Sequence, residues 1–383
     1  MTQLSRKIML VAGDPSGDSH ASRMVASLRK LAPQVHVFGM GGPLLAASGM
    51  EVREDLTKEA LVGFWEVAKH LPMVLWRMSQ CKAWLKNERP DLLVLVDYPG
   101  FNLRLAEKAS ALGIPVCYYI APQVWAWHKE RVAAMRRDIR NLLVILPFER
   151  DWFRQEGMDA VYVGHPLMET VAKVKRNVPR IRKQLGLDKS VKSLVALLPG
   201  SRKSELKRIW PVLRDAARTW AAQHPGALFL VPRPSGLEDS HYPGLRPGDP
   251  FRFVPGPAWE ERAACDLAWV KSGTSTVETA LLGVPQVVFY KVAPFSAFLA
   301  KRLLKLKNVG MVNLLDPKPS VPELLQDDFT CEALVRESQK LIADSGARKK
   351  QLAQYARIRR SLSHPKNSSR VAAREILKLL KRP

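Results

Sequence analysis

Short apolar runs alternate with helix-patterned stretches along most of this chain, and that alternation limits the fold more than any other feature. In the first half the runs are KIMLVAG (7–13), VHVFGMGG (35–42), LLVLVDY (92–98), PVCYYIAP (115–122), LLVILP (142–147) and AVYVG (160–164). They are rich in Val and Ile and flanked by Gly and Pro, as in buried strands of a parallel, doubly wound sheet. The rhythm restarts after a charged stretch at 173–192, with SLVALLPGS (193–201), LFLVPRPS (228–235), FRFVPG (251–256), LAWVKSG (267–273) and PQVVFYK (285–291). At 383 residues the chain exceeds what one core usually organises. The expected fold is therefore α/β, with two Rossmann-like domains at 1–170 and 171–346 facing each other across a cleft. Residues 347–383 read as a basic helical tail broken near His364-Pro365. No internal sequence repeat accompanies the two domains, so any symmetry is architectural.

Bulk properties exclude several classes. No stretch approaches the roughly 18 consecutive apolar residues that a spanning helix needs, and the start passes from polar residues straight into a strand-like segment. The chain is expected to be neither secreted nor membrane-spanning. Cys81, Cys117, Cys265 and Cys331 lie far apart without metal-ligand spacing and read as reduced core thiols. Sixty Lys and Arg against 36 Asp and Glu give a formal charge of +24, which favours an anionic partner, either nucleic acid or anionic lipid. From 348 to 383 twelve basic residues face one acid, Glu375. A solvated helix face accounts for that excess as well as an anionic surface does.

Ligands of open α/β sheets bind beyond the carboxyl ends of the strands, and the motifs fall there. The loop GDPSGD (13–18) follows the first strand. Gly13 and Gly17 allow close backbone approach, and Ser16, Asp18 and Ser19 can cap the next helix. It is neither a dinucleotide fingerprint nor a phosphate loop with its lysine. Asp97 ends the strand LLVLVDY, where a carboxylate could take a proton from a sugar hydroxyl. In YYIAPQVWAWHKERV (118–132), Gln123, Trp125 and Trp127 could hold a sugar ring, and His128, Lys129 and Arg131 could hold phosphate.

Two loops of the second half suit a diphosphate. LLPGSRKSE (197–205) offers Gly200, Ser201 and Arg202 at a helix start. KSGTSTVETALLGVPQVV (271–288) offers Ser272, Gly273, Thr274, Ser275 and Thr276 at a helix N-terminus, with Glu278 one turn in and placed to meet ribose hydroxyls. No acidic cluster sits in either loop, so no catalytic metal and no cofactor is expected.

Together these motifs resemble the lipid-A-disaccharide synthase family of inverting GT-B glycosyltransferases. The resemblance runs over about residues 7 to 380. It rests on GDPSGD, LVDYPGFN (95–102), YYIAPQVWAW (118–127), LPFE (146–149), VGHP (163–166), LLPGSR with Glu205, SGTSTVE (272–278), PFSAFLAKRLLK (294–305) and VNLL (312–315). It implies condensation of UDP-2,3-diacylglucosamine with 2,3-diacylglucosamine 1-phosphate to a β-1,6-linked disaccharide 1-phosphate plus UDP. It also implies Asp97 as base, Arg202 near the diphosphate, Glu278 at the ribose and Asn313 near the donor. Gly13, Asp14, Ser16, Gly17, Asp18, Gln123, Trp125 and His128 fall on the acceptor side, and the tail is expected to pack back toward the first domain. Asp14 and His128 depart from the family pattern, where Glu and Arg are frequent.

Acylated substrates require an apolar entrance. ALVGFWEVAKHLPMVLWRM (60–78) is too apolar all round for an ordinary surface helix, and Pro72 interrupts it, so Phe64, Trp65, Leu71, Leu75 and Trp76 are expected to enter the bilayer interface. PFSAFLAKRLLKLK (294–307) adds four cations toward anionic lipid. The protein is thus expected on the cytoplasmic face of the inner membrane as a peripheral enzyme, and a homodimer is compatible with this. Three rivals are weighed: another UDP-sugar GT-B transferase with a lipid-linked acceptor, a nucleic-acid-binding protein, and a sugar-nucleotide epimerase. The nucleic-acid reading leaves the nucleotide loops without purpose, so no nucleic-acid partner is expected. The epimerase lacks an evident acid/base pair beyond Asp97.

Overall fold

The computed structural model describes residues 6–56, 71–125, 128–234, 236–291 and 308–381. The chain divides into two compact units, one of Met1–Glu169 with Leu362–Pro383 and one of Thr170–Ser361.

The first unit is built on seven strands: β1 (Lys7–Ala12), β2 (His36–Gly41), β3 (Glu51–Asp55), β4 (Leu92–Val96), β5 (Val116–Tyr119), β6 (Asn141–Val144) and β7 (Ala160–Tyr162). They form one parallel sheet in the order β3-β2-β1-β4-β5-β6-β7. Alternate residues of β1 serve opposite faces, as the pleat requires. Met9 and Val11 pack with Leu93, Leu95 and the helix Pro99–Ala111, whereas Ile8, Leu10 and Ala12 pack with the helix Pro15–Leu31.

The chain's last helix, Ser368–Lys381, completes that second layer. Ala372, Ala373, Ile376, Leu379 and Leu380 recur at helical spacing and are buried with Met24, Val25 and Leu28. Arg370, Arg374 and Lys378 lie on its exposed side.

The second unit has β8 (Ser193–Leu198), β9 (Ala227–Arg233), β10 (Phe251–Pro255), β11 (Leu267–Lys271), β12 (Gln286–Tyr290) and β13 (Glu323–Leu325), all parallel, in the order β10-β9-β8-β11-β12-β13. Trp210 and Trp220 of the helix Lys203–Gln223 fill one face with Trp269 and Phe229. The helix Ser345–Leu362 docks here through polar groups. Gln351 is fully buried and exchanges two backbone-to-amide bonds of 3.0 Å with Gln286, and Gln354 donates to the Val312 carbonyl at 2.9 Å. The basic tail thus contributes one helix to each unit, with its break at residues 363–367.

The two parallel α/β sheets agree with the expected fold class. Every apolar run read as a strand contains one, while β3 and β13 were not among them. The strand order reverses between β1 and β4 in the first unit, where Ala12 is level with Val96. It reverses between β8 and β11 in the second, where Leu198 is level with Val270. At such switch points the two following loops diverge from neighbouring strands and leave room for a ligand.

Asp18 locks the first of these loops. It is buried, and its carboxylate accepts from the amides of Gly42, Leu44 and Leu45 at 2.8, 3.0 and 3.1 Å. These are the amides left open at the start of the short helix Pro43–Ala47. Asp18→Ala leaves them buried without an acceptor. The expected loss in urea-unfolding stability is about 3 kcal/mol, with Asp18→Asn intermediate because one acceptor oxygen remains. An unchanged midpoint would show that water replaces the carboxylate.

Candidate active site

Asp97 follows the last residue of β4, and the backbone there is strained. Asp97 and Tyr98 both adopt left-handed conformations, with φ of 47° and 50°, which non-glycine residues rarely enter. The Asp97 carbonyl accepts from the buried Asn102 amide at 2.7 Å and from the Tyr118 hydroxyl, and its own N–H donates to the Tyr119 carbonyl at 3.2 Å. The strain is therefore held from two sides. The Tyr98 ring lies directly against Gly13, where a Cβ would meet ring carbons at 2.2 Å. Gly13 is required because its missing side chain makes room for that ring.

Asp14 caps the helix Pro15–Leu31, its carboxylate accepting from the Gly17 amide at 2.6 Å. The cap is thus Asp14 rather than Ser16, Asp18 or Ser19. Asp18, placed on the acceptor side by sequence, is committed to three backbone amides instead. Ser16 is half-buried in the first turn and Gly17 is buried. Burial and the nearby Asp14 charge push the Asp97 carboxyl up to about 7.

Glu149, the acid of LPFE, is not marked as a site residue by sequence pattern. It is buried, takes the Trp125 indole N–H at 3.1 Å and the Leu146 amide at 3.1 Å, and burial, with the Asp97 charge adding, pushes it up to about 7. An acid three residues after a Leu-Pro start reads in sequence as a helix first-turn charge; only its burial marks it out. Trp125 is thereby fixed edge-on to Phe148, ring centres 5.0 Å apart. His128 lies exposed, and its ring pairs with Glu130 at 2.8 Å. Gln123 is half-buried, and Trp127 lies outside the described residues.

In the second unit Gly200, at φ 105°, turns the chain out of β8, and Arg202 immediately precedes the helix Lys203–Gln223 without a side-chain bond to its amides. The Arg202 guanidinium donates to Glu205 at 3.0 Å, and Lys271, at the end of β11, donates to the same carboxylate oxygen at 2.9 Å. Lys271 heads the KSGTSTVE motif, where sequence pattern gives it no role. Ser201, Gly273 and Thr274 are exposed and Ser275 is half-buried.

Three side chains expected to face a donor turn inward. Ser272 donates to the Val309 carbonyl at 3.2 Å, and the fully buried Thr276 hydroxyl donates to the Gly273 carbonyl at 2.8 Å. The buried Asn313 amide donates to the Val321 carbonyl at 2.8 Å and to Glu323 at 2.7 Å. They build the loop rather than present polar groups from it. Glu278 is held by the buried Arg262 at 2.9 Å, which fixes the carboxylate one turn into the helix Thr274–Leu281. Among the described residues no group of three or more His, Cys, Asp or Glu side chains is placed to hold a metal ion.

The model of the family described as lipid-A-disaccharide synthetase matches residues 8–377. The chain belongs to that family. It is 38% identical to the lipid-A-disaccharide synthase of Myxococcus xanthus, covering 98% of this chain and 97% of that protein. It is also 38% identical to that of Nitrosococcus oceani, with 93% and 92% covered. Among solved structures, a kitacinnamycin glycotransferase aligns with a TM-score of 0.62 at 15% identity, over 98% of both chains. The UDP-GlcNAc 2-epimerase of Neisseria meningitidis, bound to UDP-GlcNAc, aligns at 0.59 and 12%, over 97% and 98%. At those identities the structures bear on fold alone, a GT-B fold with two α/β units. Family membership makes the chain a glycosyltransferase of lipid A biosynthesis. Asp14 and Glu149 stand close enough to Asp97 for their charges to interact, so the fold does supply further ionisable groups beside it.

A base with its carboxyl near 7 is mostly protonated below that pH, so kcat/KM is expected to rise as pH increases through about 7. Asp14→Asn keeps a capping side chain but removes the repelling charge, which should move this acid limb to lower pH. A limb that stays in place would show that Asp14 does not act on the titrating group.

Proposed function

We propose that this chain transfers the 2,3-diacylglucosaminyl group of UDP-2,3-diacylglucosamine to the 6′-hydroxyl of 2,3-diacylglucosamine 1-phosphate, with inversion. Asp97 takes the hydroxyl proton as the new C1–O6′ bond forms, and the bond from C1 to the diphosphate oxygen breaks with its electron pair leaving on UDP. Arg202 and the amides at the head of the helix Thr274–Leu281 stabilise the charge on the departing diphosphate, and Glu278 receives the ribose hydroxyls. The observation that carries this reading is the Asp97 carboxyl in a chain matched end to end by this family: partly buried at a strand's end, on a strained backbone, with its proton affinity raised to near neutrality.

We also propose that the enzyme works at a membrane surface. Leu71, Leu75 and Trp76, on one side of the helix Leu71–Glu88, are 44, 59 and 50% exposed. Such a patch suits insertion at the bilayer interface. Phe64, Trp65 and the basic segment 294–307, assigned the same role from sequence, lie outside the described residues. No described helix is long and apolar enough to cross a membrane.

Purified protein mixed with both substrates in detergent should yield disaccharide 1-phosphate and UDP in equal amounts, followed by mass spectrometry and a UDP assay. Asp97→Asn should lower turnover by about 10²- to 10⁴-fold and leave UDP affinity within about twofold. UDP binding without disaccharide would point to the rival reading with a different lipid-linked acceptor. Replacing Leu71, Leu75 and Trp76 together by Ser should abolish co-sedimentation with anionic liposomes, and retained co-sedimentation would remove the membrane assignment from this helix.

A further inference from the structure

Lys271 stands at the β8/β11 switch point. It is the last residue of β11 and its side chain is 14% exposed. It runs across the Gly200 turn, where a Cβ would meet its Cδ at 3.1 Å, so the missing side chain of Gly200 is what gives Lys271 its path. Its Nζ lies 2.9 Å from both oxygens of Glu205 and over the Tyr290 ring, 5.4 Å from the centre. Glu205 is buried and also receives Arg202.

Two cations thus share one carboxylate in a mostly enclosed place, and the cluster carries a net charge of +1. Burying charge is costly unless it is matched. A lone Arg202–Glu205 pair would be neutral, so a purely structural arrangement needs no lysine. A second guanidinium atom, Arg202 Nε, is buried without a hydrogen-bond partner among the described residues. Glu205 Oε2 is likewise buried without a hydrogen-bond partner, so the sign is set by the excess positive charge, which calls for an anion, and the neighbouring amides at the start of the helix Lys203–Gln223 favour the same sign.

We propose that Lys271 is a second diphosphate-binding cation, held beside Arg202 by Glu205 and meeting the β-phosphate of the bound nucleotide. The inference rests on the UDP-sugar reading above and adds a residue and a division of labour to it. Glu205 is the positioning residue. It keeps two mutually repelling cations side by side in the empty enzyme, and both keep donors to turn toward phosphate oxygens once a more highly charged anion arrives. Burial and the Arg202 charge draw the lysine below its usual range, the Glu205 carboxylate counteracts this, and an incoming diphosphate would reinforce the charged form.

The test uses the full chain and calorimetric binding of UDP, UMP and uridine. The wild type should bind UDP more tightly than UMP. Lys271→Met should weaken UDP by at least about tenfold while uridine changes by less than about twofold, because only the distal phosphate loses a charge-assisted contact. Lys271→Arg should restore most of the UDP affinity. Since Lys271→Met leaves the Arg202–Glu205 pair neutral, the double variant Lys271→Met/Glu205→Gln, which returns the cluster to its net charge of +1 without the lysine, should show the same selective loss. Equal weakening of UDP, UMP and uridine, or no weakening in either variant, overturns the proposal. If the wild type binds neither UDP nor UMP, the donor reading itself fails and takes the proposal with it.

Discussion

A parallel sheet covered by helices on both faces leaves little room for charged side chains along its central strands, so the candidate site residues gather at strand ends. Val96 and Val270 are fully buried, and the residues just beyond, Asp97 and Lys271, carry the charges. At the first of these exits the sheet imposes a cost. Leaving β4 takes two consecutive non-glycine residues into the left-handed region, each costing about 1 kcal/mol. Asn102 and Tyr118 offset this on one carbonyl, and the Tyr98 ring closes onto the bare α-carbon of Gly13. The motifs GDPSGD and LVDYPGFN are therefore two halves of one object, since neither loop keeps its shape without the other.

The two units bury charge of opposite sign, and the proposed reaction would ask for both, a proton acceptor in one and a site for the leaving anion in the other. The first buries Asp97 and Glu149, which raises the proton affinity of both, with the Asp14 charge adding at Asp97 and the Asp97 charge adding at Glu149. An ordinary exposed carboxylate, some three pH units below neutrality, would be a poor acceptor for a hydroxyl proton. The second sets Arg202 and Lys271 on Glu205, where positive charge is in excess. A leaving diphosphate gains from fixed cations that need no rearrangement as charge develops. Proton affinity and anion affinity are separated into different sheets, which lets each be tuned without cancelling the other.

What could be read from sequence was what repeats locally: the apolar runs of eleven strands, the strand-end position of Asp97 and the turn at Pro199-Gly200-Ser201-Arg202. What could not was anything set by burial or by partners distant in sequence. β3 reads EVRED because it is an edge strand, with no need of apolar residues on both sides, and β13 is only three residues long. Glu149 and Lys271 look like solvated charges until the fold encloses them. Ser272, Thr276 and Asn313 look like ligand contacts in a polar loop, yet their donors go to Val309, Gly273, Val321 and Glu323. Residue type identifies a hydrogen-bonding group, but only the folded neighbours decide which way it turns.

The same distinction separates two amphipathic segments that composition alone would treat alike. The tail helix Ser368–Lys381 is strongly basic, yet its apolar stripe is spent on the first unit's core and its cations face outward, as in any surface helix. The helix Leu71–Glu88 is arranged the other way. Arg77 is buried and forms two bonds to Glu54 at 3.0 and 2.9 Å, with Met78, Cys81 and Leu85 inside beside it, while Leu71, Leu75 and Trp76 point out. Placing a cation inside and a tryptophan outside is unfavourable for a helix that meets only water, since the exposed rings forfeit burial and the guanidinium forfeits hydration. The arrangement becomes favourable once the outer face meets an apolar phase. Of the two segments, then, the basic one owes its pattern to folding, and the one that exposes its apolar side is the one whose pattern folding leaves unexplained.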